Sequence, residues 1–212
     1  MAHATQSRFV EGPAGRLDAR FDGPEDGQPV LLLHPHPQWG GTMGSRLVHD
    51  VAQGLAEAGF RVVRFNFRGV GRSEGAYASG PGEVDDAAAV FDAMAAETGK
   101  VPIVVGYSFG GAVACRLATL RKPLRLVLIG TPLALSESKL RPVDDAPRVA
   151  ARTDIVVGDR DGFVPLADAQ TLAAAFSRPA HVAVIEGAGH FLEPSHNEQA
   201  VAAVATILAG LE

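Results

Sequence analysis

The sequence predicts an α/β protein built on a mostly parallel sheet of about eight strands, with helices on both faces. Short apolar runs such as residues 29–33, Pro-Val-Leu-Leu-Leu, show no polar alternation, which is typical of strands covered by helices on both sides. These runs take turns along the chain with segments of helical periodicity. Such alternation favours repeated βαβ units over an all-helical or all-β fold.

The chain begins with a predicted antiparallel hairpin. Residues 8–11 and 16–21 are strand candidates. The Gly-Pro-Ala-Gly between them, residues 12–15, suits a turn, because proline has a fixed φ and glycine can adopt a left-handed backbone. After the strand at 29–33, a helix with Leu47, Val48, Val51 and Leu55 on one face is predicted to end at Gly59. The apolar residues 60–67 then complete the first βαβ unit.

The remaining elements continue the same alternation. The predicted helices are 83–98 and 109–120, and the predicted strands are 101–106, 124–129, 154–158 and 181–185. Each of the last two strands leads through a loop to a further helix. Ser195 and Glu198 are spaced as a capping box, which predicts the start of the last helix.

Composition is that of one soluble globular domain spanning residues 1–212. Hydrophobic residues make up 47% of the chain and charged residues 20%, so it can bury a core and is not a disordered or fibrous chain. The net charge of -5 supplies no positive field for phosphates, which argues against a nucleic-acid partner. The single cysteine, Cys115, excludes an internal disulfide framework, and we assign it no chemistry beyond a small buried side chain.

Two features bear on location. Residues 1–10 lack the apolar centre of a secretory signal, and the apolar stretch at 201–211 is shorter than the roughly 20 residues that cross a bilayer. We therefore expect a cytoplasmic protein that does not bind membranes. We also expect a monomer or homodimer and, from the net charge, no nucleic-acid partner.

One strand exit carries a candidate nucleophile. Residues 106–111 read Gly-Tyr-Ser-Phe-Gly-Gly and lie between a predicted strand and a predicted helix. A sharp strand-to-helix turn lifts a serine hydroxyl clear of the sheet, and glycines two residues to either side leave room for the strained backbone. Ser108 is the predicted nucleophile.

A serine hydroxyl needs a base, and the base needs an acid that fixes its tautomer. His190 follows the strand at 181–185 on a glycine-flanked loop, and two carboxylates, Asp159 and Asp161, follow the strand at 154–158. Ligands in such sheets bind at the carboxyl ends of the strands, where these side chains should meet. His190 is the candidate base. Asp159 and Asp161 are both candidate acids at this point.

The chain resembles the α/β-hydrolase superfamily from about residue 7 onward. The order Ser108, Asp161, His190 matches the superfamily's serine, acid, histidine order, and a Gly-x-x-Asp-x-x-Val pattern selects Asp161. The chain looks closest to small bacterial serine hydrolases with a His-Pro-His-Pro segment followed by Gly-Gly-Thr-Met, here residues 34–43. A second family-like string is Asn-Phe-Arg-Gly-Val-Gly-Arg-Ser at 66–73.

The resemblance implies an α/β-hydrolase fold without a cap domain and hydrolysis of carboxylic esters or related small acyl compounds. It also implies an oxyanion hole formed by two backbone N–H groups, those of Phe109 and His36. About two dozen residues separate the strands at 124–129 and 154–158, too few for a folded cap. The site should be open and should prefer short acyl groups.

Several alternatives remain open. Trp39, Phe163 and Phe191 either line an acyl pocket or are ordinary core and rim aromatics. His34 and His36 could share a metal ion, although no further ligand pattern accompanies them, and we expect no metal and no cofactor. The glycines at 69–75 have the wrong spacing for a dinucleotide loop. An acyltransferase, a cofactor-free haloperoxidase-like enzyme or a non-catalytic binding protein could use the same scaffold.

Overall fold

Eight strands form one sheet. The computed structural model describes residues 5–135, 138–192 and 194–210. The strands are β1 (Gln6–Gly12), β2 (Gly15–Asp22), β3 (Pro29–Leu33), β4 (Arg61–Phe65), β5 (Ile103–Tyr107), β6 (Leu126–Ile129), β7 (Thr153–Gly158) and β8 (His181–Ile185). Their order across the sheet is β1-β2-β4-β3-β5-β6-β7-β8.

The sheet is antiparallel at one edge and parallel elsewhere. β1 and β2 form the predicted hairpin, with Gly12 opposite Gly15, and β2 also pairs antiparallel with β4. From β4 through β3 to β8 every pairing is parallel. The predicted fold class is therefore confirmed, including the mostly parallel eight-stranded sheet.

Helices cover both faces of the sheet. They are α1 (Arg46–Glu57), α2 (Pro81–Thr98), α3 (Phe109–Leu120), α4 (Pro142–Asp145), α5 (Leu166–Ala175) and α6 (Pro194–Ala209), with 3-10 turns at Pro37–Trp39 and Ala146–Arg148. α1 and α6 build one hydrophobic core with the sheet, and α2, α3 and α5 build the other. Leu31 and Leu32 of β3 point into opposite cores, which explains the apolar run without alternation.

The structure corrects some predicted boundaries. β4 ends at Phe65 rather than residue 67, because Asn66 N bonds Asp18 O and Phe67 N bonds the His34 ring. α2 begins at Pro81, two residues before the predicted start. The predicted capping box is wrong: α6 begins at Pro194, so Ser195 lies inside the helix rather than before it.

The described residues between β6 and β7 form no cap domain over the carboxyl ends of the strands. Between β6 and β7, α4 packs against α3 and α5 while Leu140, Ala146 and Val149 enter the core. Residues 136–137 of this connection lie outside the described part, as do residues 1–4 and 211–212 at the ends of the predicted domain. The prediction of one domain stays a prediction. Among the described helices, none is long and apolar enough to span a bilayer.

Candidate active site

Ser108 sits on a strained turn between β5 and α3. Its backbone has φ +54° and ψ -115°, and its N–H donates to Ile129 O at 2.8 Å. A non-glycine residue in this region costs about 1–3 kcal/mol, and such strain is concentrated at functional sites. The turn leaves Ser108 partly exposed although its neighbours Tyr107 and Phe109 are buried.

The flanking glycines are required by close backbone contacts. A Cβ on Gly106 would lie 2.3 Å from Gly110 O, and a Cβ on Gly110 would lie 2.4 Å from Leu33 O. Neither backbone carbonyl can move without shifting a strand or the start of α3. The Gly-x-Ser-x-Gly spacing is thus a packing requirement of the turn.

The structure brings the three predicted triad side chains together. Ser108 Oγ is 3.1 Å from His190 Nε2, and His190 Nδ1 is 2.8 Å from Asp161 Oδ2. Both are hydrogen-bonding distances. The His190 and Asp161 side chains are 8% and 2% exposed, so bulk water competes little with their contact. The arrangement can transfer a proton from the serine hydroxyl to the imidazole.

The loop after β7 decides between the two candidate carboxylates. Asp161 Oδ1 accepts hydrogen bonds from Phe163 N and Val164 N, both at 2.8 Å, which leaves Oδ2 directed at His190. Asp159 is exposed and accepts from Gly187 N at 2.6 Å instead. Asp161 is the carboxylate that contacts the imidazole.

Tyr107 supports the base and was not identified by sequence reasoning. Its hydroxyl donates to His190 O at 2.8 Å, which ties the loop after β8 to the end of β5. Burial, with the Asp161 carboxylate nearby, raises the pKa of Tyr107 to about 12, so it stays a donor. The available signal was its place directly before Ser108, which puts it at the same strand exit.

The two residues predicted to supply the oxyanion donors have side chains in contact. The rings of His36 and Phe109 are 4.9 Å apart between centroids. Phe109 is the first residue of α3, where the helix offers its N–H no internal acceptor. His36 precedes the 3-10 turn and lines the same cleft as Ser108. Their role as oxyanion donors stays a prediction.

The histidine pair has structural partners on all four ring nitrogens. His34 bonds Pro35 O through Nδ1 at 2.7 Å and accepts from Phe67 N through Nε2 at 3.1 Å. His36 accepts from Gln38 N through Nδ1 and contacts Tyr77 Oη through Nε2. Complete burial lowers the pKa of His34 to about 4. The rings therefore brace the loop after β3 in this structure. Within the described ranges, no group of three or more side chains of the types that bind metals comes together.

The Asn-Phe-Arg-Gly-Val-Gly-Arg-Ser string at 66–73 also stabilises the loop after β3. Asn66 Oδ1 accepts from Met43 N at 2.9 Å, and Ser73 Oγ donates to Asn66 O at 2.7 Å. Gly71 has φ +57°, and a Cβ there would lie 2.7 Å from the Asn66 amide. These contacts hold the Gly-Gly-Thr-Met segment next to the end of β4. They account for the glycines as turn residues.

A cleft of about 210 Å³ opens beside Ser108. Trp39, Phe163 and Phe191 all line it, together with His36 and His190. These three aromatic side chains are 61%, 58% and 75% exposed, so they are not core residues. Their exposure rules out the core interpretation and leaves the pocket and rim interpretations. Whether they bind an acyl group stays a prediction.

Comparison with known proteins identifies the family. The model of the alpha/beta hydrolase fold family matches residues 28–151, and the chain belongs to that family. An uncharacterised protein of Rickettsia prowazekii is 32% identical over 192 residues, covering 86% of this chain and 80% of that protein. Lipase LipV of Mycobacterium tuberculosis is 35% identical over 127 residues, covering 58% of this chain and 45% of the lipase. This alpha/beta hydrolase thus has a lipase among its relatives.

Solved structures agree with the fold. An alpha-beta serine hydrolase homologue from Coxiella burnetii superposes with a TM-score of 0.87 at 29% identity, covering 98% of each chain. A serine hydrolase without lid from Xanthomonas campestris gives a TM-score of 0.80 at 27% identity, covering 100% of this chain and 94% of that one. Both likenesses extend over nearly the whole sheet and its helices.

Proposed function

We propose that this protein is a serine hydrolase that cleaves carboxylic esters or related small acyl compounds through an acyl-enzyme on Ser108. The observation that carries the proposal is the continuous hydrogen-bonded series from Ser108 Oγ through the His190 ring to Asp161. The lipase relative and the serine hydrolases of similar structure support it.

In the acylation half-reaction, Ser108 Oγ attacks the carbonyl carbon while His190 Nε2 takes the hydroxyl proton. His190 Nδ1–H donates to Asp161 Oδ2, so the carboxylate stabilises the imidazolium that forms. The tetrahedral intermediate then collapses. His190 returns its proton to the departing oxygen as the bond between the carbonyl carbon and the leaving group breaks.

Deacylation reverses the roles of the same groups. A water loses its proton to His190 Nε2 and attacks the acyl carbon. The bond to Ser108 Oγ breaks, the proton returns to that oxygen, and the carboxylic acid leaves. The backbone N–H groups of Phe109 and His36 would stabilise the oxyanion in both halves. One such donor contributes about 2.7–4 kcal/mol of barrier lowering in other hydrolases.

The cleft indicates small substrates. Its volume of about 210 Å³ is below the roughly 300–1,000 Å³ of sites for drug-sized ligands, and no described residue between β6 and β7 lines it. Short acyl groups should therefore enter without a closure step. We propose that the enzyme acts as a monomer or homodimer without a metal or cofactor.

Fluorophosphonate labelling tests the proposal. Wild-type protein should gain one phosphonyl adduct on Ser108, detected by intact mass and peptide mapping, and should hydrolyse 4-nitrophenyl acetate. Ser108→Ala should lose both properties at unchanged melting temperature. Ser177→Ala is the matched control, because Ser177 Oγ bonds Val149 O and does not line the cleft. Labelling at another residue, or full activity in Ser108→Ala, would contradict the assignment.

A further inference from the structure

The cleft beside Ser108 combines apolar walls with one cationic side chain. Trp39, Phe163 and Phe191 form its apolar surface, and Arg46 from the start of α1 also lines it. Among the cleft-lining residues in the described part of the chain, Arg46 is the one with a formal charge. The protein as a whole carries a net charge of -5, so the charged residue that lines this cleft has the opposite sign to the net charge of the chain.

The aromatic walls are held in place rather than loosely exposed. Trp39 stacks on the buried His36 ring with centroids 5.0 Å apart and an interplanar angle of 24°. Phe163 and Phe191 contact each other edge to face at 5.5 Å, and both contact the His190 ring. Three large aromatic side chains kept more than half exposed around one cleft indicate a ligand with an apolar part.

Arg46 is only weakly neutralised. Its Nε lies 3.6 Å from Asp50 Oδ2, longer than a good charge-assisted hydrogen bond. Asp50 is shared, because Asn197 Nδ2 from α6 also donates to it. The Arg46 side chain is 65% exposed and belongs to a residue that lines the cleft, so an anion entering the cleft can approach it.

We infer that the preferred substrates are small esters whose apolar part ends in a carboxylate or similar anion, which Arg46 binds while the aromatic walls hold the apolar part. This inference rests on the proposed function and adds its substrate class. Arg46 acts on specificity and binding and does not touch the reacting atoms. An anion on either the acyl or the alcohol part fits this chemistry, and matched substrates separate the two.

The experiment compares esters that carry either a free carboxylate or its methyl ester at the same position. On the acyl side, the pair is mono-4-nitrophenyl adipate and its neutral methyl ester. On the alcohol side, it is 4-carboxyphenyl acetate and its methyl ester. Each rate is corrected for spontaneous hydrolysis. In at least one pair the wild-type kcat/KM should favour the anion roughly fivefold, chiefly through KM, as expected for a partly exposed ion pair. The preference should fall as salt rises from about 0.02 to about 0.5 M.

Substitutions at Arg46 and at Asp50 should change the preference for anionic esters in opposite directions. Arg46→Gln should remove the roughly fivefold preference, Arg46→Lys should keep part of it, and both should turn over neutral esters within about twofold of wild type. Asp50→Asn should raise kcat/KM for the anionic ester by about twofold, because it removes the competing carboxylate. Arg178→Gln is the control: this exposed arginine lines a separate cleft near the start of β8.

The outcomes separate this inference from the proposed function. If neutral esters are hydrolysed in a Ser108-dependent way but no pair shows an Arg46-dependent preference, the substrate class is wrong and the serine hydrolase proposal stands. If neither charged nor neutral esters are hydrolysed, the proposed function itself fails. An equal loss on charged and neutral esters in Arg46→Gln would assign Arg46 a structural role and overturn the inference.

Discussion

The most informative substitution is Asp161→Asn, because the surrounding backbone dictates how the new amide must point. Two N–H groups, from Phe163 and Val164, donate to Asp161 Oδ1 at 2.8 Å. An asparagine keeps these bonds only with its carbonyl oxygen at that position. Its NH₂ group then faces His190 Nδ1, where the wild-type carboxylate accepts a hydrogen bond.

That orientation forces the wrong histidine tautomer. Facing an NH₂ donor, His190 Nδ1 must accept, so the ring proton moves to Nε2 and points at Ser108 Oγ. The imidazole can then no longer take the serine proton. In a serine protease triad the corresponding change lowers kcat by about 10⁴, equivalent to about 5–6 kcal/mol of barrier, and we expect a loss of the same order. Flipping the amide instead would set NH₂ against two backbone N–H groups, which costs at least about 1–3 kcal/mol of stability.

The assay is kcat/KM for 4-nitrophenyl acetate together with thermal unfolding. Asp159→Asn is the matched control. Asp159 is exposed and accepts one hydrogen bond from Gly187 N, which an asparagine carbonyl can also accept. Its activity should stay within about threefold of wild type. If Asp159→Asn loses more activity than Asp161→Asn, the acid has been misassigned even though the serine hydrolase proposal survives.

Four further expectations follow from the same geometry. Gly110→Ala should lower the free energy of unfolding in urea by at least about 1–3 kcal/mol, because its Cβ would lie 2.4 Å from Leu33 O. Gly162→Ala is the control: a Cβ there has nothing within 4 Å, so the change should be less than about 0.5 kcal/mol. Equal effects of the two substitutions would refute the packing argument. Burial lowers the pKa of His34 from 6.5 to about 4, so the unfolded chain takes up a proton first as pH falls. The free energy of unfolding should therefore drop by up to about 3 kcal/mol between roughly pH 6.5 and 4, and His34→Asn should flatten that part of the profile; an unchanged slope in the variant would contradict the role given to burial. In an acyl-chain series kcat/KM should be highest for short chains, without activation above substrate solubility; a maximum at about twelve carbons or more would indicate a working lid. EDTA should leave ester hydrolysis unchanged, whereas inhibition reversed by zinc would revive the metal interpretation of His34 and His36.

The sequence alone was enough to predict the sheet and the elbow, because these features depend on local patterns. Uninterrupted apolar runs predicted the buried parallel strands, and the predicted limits of α3, 109–120, agree with the structure. Backbone carbonyl oxygens lie so close to Gly106 and Gly110 that a Cβ would clash with them, so both positions require glycine. A requirement of this kind is visible in the sequence. Element ends were less predictable. β4 stops where Asn66 and Phe67 bond partners far along the chain, and α6 begins before the predicted capping serine.

The choice between Asp159 and Asp161 as the partner of His190 was decided by tertiary structure. Both carboxylates leave the same strand two residues apart, and the resemblance alone favoured Asp161. Only the folded loop shows its two N–H groups fixing one carboxylate oxygen and leaving the other for the imidazole. The positions of Tyr107 and Arg46 beside the site are likewise visible only in the tertiary structure. The sequence does not indicate which groups a hydroxyl at a strand end or a cation at a helix start will contact. Residue patterns record the constraints of neighbouring residues, whereas contacts between strand exits and helix starts exist only once the sheet brings distant segments together.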